Sequence, residues 1–296
     1  MLKLELVEAV LARALKGGAD FAEVYAQRAK KRRMKVRQGA LEEALSGLDY
    51  GAGVRLFFGT EVVYAYTNDL TQEGLMEALE TLLRAKGALG KVDEGGKGGL
   101  DFRKATPKGL HAPKVPYGEK DKRYRLERLL EAEAGARIAP AIKQVEASLL
   151  EWEEEVLVAN TEGVFAEEKR VRTRLFVLAV AQDGAEVQTG YSAPGKSVGL
   201  ELFDLYPPKA VGEKAARQAL TNLKARPAPA GTFPVVVGPG FGGVLFHEAV
   251  GHLLETTSVA RKASVLADKL GEVVASPAVT YIDDGTLPHA WGSTEM

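Results

Sequence analysis

The sequence predicts an α+β protein: a two-part amino-terminal region of helices and antiparallel strands, then a partial, β-rich carboxy-terminal domain carrying one apolar helix with two histidines. Three observations predict it. Short segments of strand character are punctuated by glycines at 39, 47, 51, 53 and 59, the pattern of an antiparallel meander. Segments of helical spacing flank these runs of strands. Finally, Arg226-Pro227-Ala228-Pro229-Ala230-Gly231 reads as a linker, and the segment after it opens a new domain.

Taken in order, Leu2 to Leu15 has helical spacing and stops at Gly17-Gly18, a C-cap signal. Five segments of strand character come next: Phe21 to Arg28, Met34 to Arg37, Leu41 to Leu45, Val54 to Phe58 and Val62 to Thr67. Leu70 to Lys86 is helical again. The stretch 87–117 is rich in Gly, Lys and Pro with little apolar periodicity, so it is expected as an exposed connector, with His111 in it solvated. Arg123 to Ala136 is a charged amphipathic helix. Gln144 to Ala159 and Val171 to Ala181 are β-rich, with turns at 160–163 and 182–184, and Val211 to Leu223 is a helix. The expected partition is therefore 1–225, with subdomains at about 1–90 and 118–225, and 231–296.

Two charged runs stand out. Lys30-Lys31-Arg32-Arg33 alternates into Lys35-Val36-Arg37 and is expected as the wet face of a strand. Glu151 to Glu155, four glutamates around Trp152, is expected as a solvated strand edge with the indole packed inward. The net charge of −1 supplies no global field for nucleic acid or anionic membrane. With no cysteine there is neither a disulfide nor a thiolate ligand. The amino terminus is charged throughout, unlike a signal peptide, and no apolar run approaches a membrane span. A soluble, cytoplasmic protein is the expectation.

Chemistry concentrates in His247-Glu248-Ala249-Val250-Gly251-His252. The chain has only four histidines, and two of them flank this glutamate. Two imidazoles and a carboxylate are what a zinc-dependent hydrolase needs: nitrogens for the metal, a carboxylate for the proton. The five-residue spacing is unusual. At about 100° per residue it leaves the imidazoles roughly 140° apart, against roughly 40° for a four-residue step. A π-bulge near Gly251 would realign them. A helix that simply buries two hydrogen-bonded histidines, with Glu248 in solvent, fits the same residues. Upstream, Val235-Val236-Val237 reads as a short buried strand, and 238–243 as a tight glycine turn into the helix. Gly238, Gly240 and Gly243 also satisfy G-x-G-x-x-G, but no strand ending in an acidic residue follows about 20 positions on. The next strand candidate, Val279 to Ile282, reaches Asp283 much later, so a nucleotide-binding α/β protein is the disfavoured reading.

With these motifs in place, the chain resembles the TldD/PmbA family, and specifically its TldD-like, peptidase-bearing branch. The resemblance is carried by Val236-Val237-Gly238-Pro239-Gly240 running into Leu245-Phe246 and the histidine motif. Val274-Ala275-Ser276-Pro277, Ile282-Asp283-Asp284-Gly285-Thr286, Ala65-Tyr66-Thr67-Asn68-Asp69-Leu70, the segment 17–23 and Val158-Ala159-Asn160-Thr161 support it. It implies a zinc metallopeptidase, labelled a modulator of DNA gyrase, that acts on unstructured peptides. It implies His247 and His252 as metal ligands and Glu248 as general base. It also implies a dimer, formed with itself or with a PmbA-like chain. In the family the third ligand is a cysteine far downstream, in a carboxy-terminal part that lies beyond this sequence. Within it, Glu255, three residues after His252, and His289 are the candidate substitutes. Apolar surface on 235–296 is expected to be uncovered unless a second chain lies on it. A non-catalytic regulator or dimer partner of the same fold is the alternative. Peptides are expected to add as an extra strand to an open sheet edge.

Overall fold

The computed structural model of the chain describes residues 1–87, 100–105, 109 and 111–295. Much of the expected connector, 88–99, 106–108 and 110, lies outside the described residues. The mixed α+β architecture is the expected one. Helix α1 (Leu4–Lys16) leads into β1 (Phe21–Arg37), β2 (Ala40–Phe58) and β3 (Glu61–Thr67), then α2 (Gln72–Ala85). After β4 (Arg103–Ala105) come α3 (Lys122–Gly135), β5 (Ile142–Asn160), β6 (Val164–Asp183), β7 (Glu186–Ser192) and β8 (Gly195–Lys196). Helices α4 (Leu202–Leu205), α5 (Pro208–Leu223), α6 (Gly243–Ala249) and α7 (Thr256–Ala260) complete the order. The strands form one sheet, β3-β2-β1-β5-β6-β4, with β7 and β8 also pairing with β6. Among the described residues only the β4–β6 pair is parallel.

Helix starts follow local chemistry. Thr71 caps α2 by accepting from Gly74 N, and Asp121 caps α3 by accepting from Tyr124 N at 2.8 Å. Alternation then fixes the buried face of the long strands. Ala22, Val24, Ala26, Met34 and Val36 of β1 are buried, as are Val145, Ala147, Leu149, Leu157 and Ala159 of β5. Alternate residues share a face, so two cores lie on the same side of the sheet. At one end α1 and α2 cover Val24, Val54 and Leu157; at the other α3 and α5 cover Met34, Leu149 and Leu175. The amino-terminal region is thus two cores on shared strands.

Between the cores the sheet is charged; the basic run is a wet face as expected, with Lys30, Lys31 and Arg33 exposed, whereas the expectation of a solvated acidic edge is corrected. The β1–β5 register sets Arg32 opposite Glu151, Lys30 opposite Glu153 and Arg28 opposite Glu155. The basic and acidic runs are therefore cross-strand partners in the middle of the sheet, where opposite charges stabilise pairing. The basic run joins Phe21–Arg28 and Met34–Arg37, read from sequence as separate strands, into β1. Glu151 is 1% exposed and Glu154 5%. Trp152, expected inside, is only partly buried and lies between Lys31 Nζ, 4.7 Å from the ring centre, and the Arg172 guanidinium at 5.3 Å. A sheet centre needs its glutamates paired, so cations from both neighbouring strands reach them.

Residues cluster as two compact units, Met1–Ala225 with Asp284–Met296, and Arg226–Asp283. The carboxy-terminal tail thus groups with the first unit. Its anchors are polar. Ser197 N donates to His289 O, Arg172 Nε to Trp291 O at 2.9 Å, and Glu295 N to Glu168 Oε1 at 3.0 Å. The Arg174 guanidinium lies 4.3 Å from the Trp291 ring centre. His111 is part of this arrangement: its ring Nδ1 accepts from His289 N at 3.1 Å, and the residue is 3% exposed. The expectation of a solvated His111 is corrected, because residues 178 positions downstream cover it.

The described part of the connector is held by Glu201, which accepts from Lys114 N at 2.9 Å and Val115 N at 3.0 Å. Burial raises its pKa, but these and further backbone N–H donors outweigh that, and the net shift is downward. A carboxylate with a depressed folded pKa stabilises fully above its unfolded value and loses that contribution as pH falls through the folded one. Glu201→Ala is expected to cost on the order of 2 kcal/mol at neutral pH. Amide exchange at Lys114 and Val115 should accelerate, and the difference from the parent should vanish in acid below the ordinary carboxylate range. Unchanged exchange at neutral pH would refute the anchor.

Candidate metal centre

The second unit holds the histidine motif. Glycines shape its entry: Gly240 has φ 86°, and a Cβ on Gly242 would collide with Gly238 O. Gly243 N donates to Gly240 O at 2.9 Å, opening α6. The expected strand at Val235–Val237 is not formed; the segment is exposed, Val236 at 98%, and Val279–Ile282 is likewise not a strand. Among the described residues of this unit no partner strand satisfies their backbone, and a strand forms only with one. The expected β-rich character of this segment is corrected accordingly. As anticipated, Val235, Phe241, Leu270, Val273 and Ile282 expose apolar surface.

The expected π-bulge is also replaced, by a break. The α6 ladder ends with Val250 N donating to Phe246 O at 3.0 Å. Val250 then turns to φ −131°, ψ −42°, and a 3-10 turn runs Gly251–Leu254. Leaving the 3.6-residue repeat removes the angular mismatch of the five-residue spacing. The two rings come together with centres 4.4 Å apart and planes at 68°. One ligand atom from each of His247, Glu248 and His252 lies within 4.8 Å of the others. Gly251 allows this closeness, since a Cβ there would sit 3.0 Å from Tyr281 Oη and 3.3 Å from His247 Nδ1. Tyr281, which spacing alone gave no reason to select, is thereby brought beside the motif.

His252 is oriented from both sides. Nε2 lies 3.6 Å from Glu248 Oε2, and Nδ1 lies 2.7 Å from Glu255 Oε1. The Glu255 hydrogen bond raises the His252 pKa, and the charges of Glu255 and Glu248 add to it. Glu255, expected as a candidate third ligand, therefore engages the other imidazole nitrogen and is not in the converging group. A carboxylate on one ring nitrogen fixes the tautomer and leaves the other free for a metal. His289, the second candidate, belongs to the first unit, where its ring contacts Ser197 O at 3.2 Å.

The donor set suits a transition metal. Zinc bonds of about 2.0–2.2 Å to nitrogen and oxygen imply tetrahedral donor separations of about 3.4 Å. Contraction from 4.8 Å lies within the reach of exposed side chains. All three are exposed, so water has access. Among the described residues no further His, Asp or Glu joins them.

Three family models match the chain: PmbA/TldA metallopeptidase domain 1 over residues 22–86, its central domain over 114–223 and its C-terminal domain over 230–296. The metalloprotease TldD homolog of Haemophilus influenzae is 33% identical over 284 residues, covering 93% of this chain and 58% of the relative. A metalloprotease of Methanothermobacter thermautotrophicus is 30% identical over 269 residues, 90% of this chain and 58% of its own length. The chain thus spans under two thirds of the curated relatives it matches. A Thermotoga maritima protein named as a modulator of DNA gyrase shares the fold, with a TM-score of 0.73 at 19% identity over 98% of this chain and 64% of that one. TldE from Thermococcus kodakarensis does so at 0.68 and 17%, over 92% and 60%.

Proposed function

The chain belongs to the PmbA/TldD metallopeptidase family, and from that premise we propose that it supplies the His247–Glu248–His252 centre of a zinc-dependent peptidase acting on unstructured peptides. The observation that carries the reading is the convergence of three donors across the break at Val250. When bound, zinc supplies a Lewis acid that polarises the scissile carbonyl and the attacking water. His247 and His252 would hold it. Glu248 takes the proton of the attacking water on a carboxylate oxygen and returns it to the leaving amine. Glu255 keeps His252 in the binding tautomer through Nδ1. Because a metal binds the neutral imidazole, the raised pKa of His252 lets protons compete up to a higher pH than at an unperturbed histidine.

A second reading has its own support. With Glu248 as the base, two imidazoles remain, whereas catalytic zinc generally has three protein ligands. A non-catalytic partner of the same fold, pairing with itself or a PmbA-like chain, would need no third. Zinc content after dialysis against a weak chelator separates the two. The peptidase reading expects about one zinc per chain, lost in His247→Ala. Absence of zinc in the parent protein would instead favour the partner reading. Cytoplasmic residence is part of the proposal; among the described residues no helix is long and apolar enough to cross a membrane.

A further inference from the structure

The sheet has an open edge. β3 pairs with β2 only from Ala52 to Phe58, so among the described residues no strand lies beyond 40–51. Leu41, Leu45, Leu48 and Tyr50 on this edge are exposed. Proteins commonly blunt such an edge with proline or charged side chains, lysine above all; 40–51 contains neither proline nor lysine, and two of its three carboxylates, Glu42 and Glu43, are neutralised by cations of β1. Ala44, Leu45 and Ser46 of the same edge also form one rim of a cavity of about 500 Å³. Its other rim is the start of α3.

Six cations and two carboxylates line that cavity, in a chain of net charge −1. Arg125 and Arg32 share Glu151, and Arg33 pairs with Glu43 at 3.3 Å. Asp121 is engaged as the cap of α3. Lys30, Lys120 and Lys122 have no carboxylate within ion-pair distance among the described residues. The basic run of β1 therefore contributes charge to a concave site beside a strand with one free edge.

We propose that the 40–51 edge and this cavity bind an extended acidic peptide segment, added to the sheet as a strand on β2 with its carboxylates directed at Lys30, Lys120 and Lys122. Main-chain hydrogen bonds to the edge supply sequence-tolerant affinity, and the cations supply the preference for alternate acidic side chains. A second copy of the chain fits less well. Its own Glu42 and Glu43 are already held by Lys35, Arg37 and Arg33. A small free anion would leave most of the cavity and the apolar edge unfilled. The proposal concerns binding and does not depend on the metal centre.

The test is fluorescence anisotropy of a labelled decapeptide alternating threonine and glutamate, against its glutamine counterpart, with chelator present. The acidic peptide should bind at least about tenfold tighter. That advantage should shrink as salt rises from about 50 mM to about 500 mM. It should be lost in Lys30→Glu/Lys120→Glu/Lys122→Glu, whose exposed positions leave the circular dichroism melt intact. Methylating alternate backbone nitrogens on one edge of the peptide should abolish binding. Equal affinity for the two peptides, unchanged affinity in the charge-reversed variant, or indifference to methylation would overturn the proposal. Displacement by inorganic phosphate at concentrations matching the peptide would overturn it in favour of a free-anion site. A dimer dissociated by the same substitutions would overturn it in favour of a second copy.

Discussion

Replacing Glu248 by glutamine in the zinc-loaded protein is expected to lower peptide hydrolysis by about 100- to 10,000-fold while leaving bound zinc in place. The amide matches the carboxylate in shape but cannot take a proton from water. His247 and His252, brought together by the break at Val250, should keep the metal regardless. Measuring kcat and zinc stoichiometry on the same sample separates base from ligand. Zinc lost together with activity would make Glu248 a ligand. Undiminished hydrolysis with zinc retained would remove it from the chemistry altogether.

The largest effect on stability is expected from Glu151→Ala. This carboxylate is 1% exposed and takes two hydrogen bonds from Arg125, itself buried, and one from Arg32 at 3.4 Å. Its removal strands the Arg125 guanidinium, leaving it only the carbonyls of Tyr117, Lys120 and Asp121. Losing one partner of a buried ion pair costs about 3–5 kcal/mol. At about 2–4 °C per kcal/mol for a chain of this size class, Tm should fall by roughly 6–20 °C. Tyr117 should report the same disruption, since its hydroxyl donates to Arg172 O at 2.6 Å in a buried setting that pushes its pKa upward. Glu153→Ala, at a partly exposed position paired with Lys169, should change little. Equal Tm changes for the two variants would mean that the charged middle of the sheet is solvated after all.

Much of this was legible from local pattern. Helices α1, α2, α3 and α5 fall where the 3.6-residue spacing places them, and their caps Thr71 and Asp121 are sequence-local devices. The turns at Asn160–Gly163 and Gln182–Gly184 separate strands as expected. Cross-strand register was not legible. Read alone, the run at Glu151–Glu155 looks solvated; only the register with β1, more than a hundred residues away, brings Arg32 to Glu151 as its counter-charge.

The sequence by itself determined the main helices and strands of the amino-terminal region, the family membership and the grouping of His247, Glu248 and His252 within six residues, because helical period, turn chemistry and side-chain type are written in a few adjacent residues. Tertiary structure alone decided how those three side chains meet, that His111 is covered by the tail, and that Val235–Val237 finds no strand to pair with among the described residues. The physical reason is common to all three. A backbone break, a buried imidazole and an unpaired strand each depend on what lies across from the residue in space, and no local spacing encodes that partner.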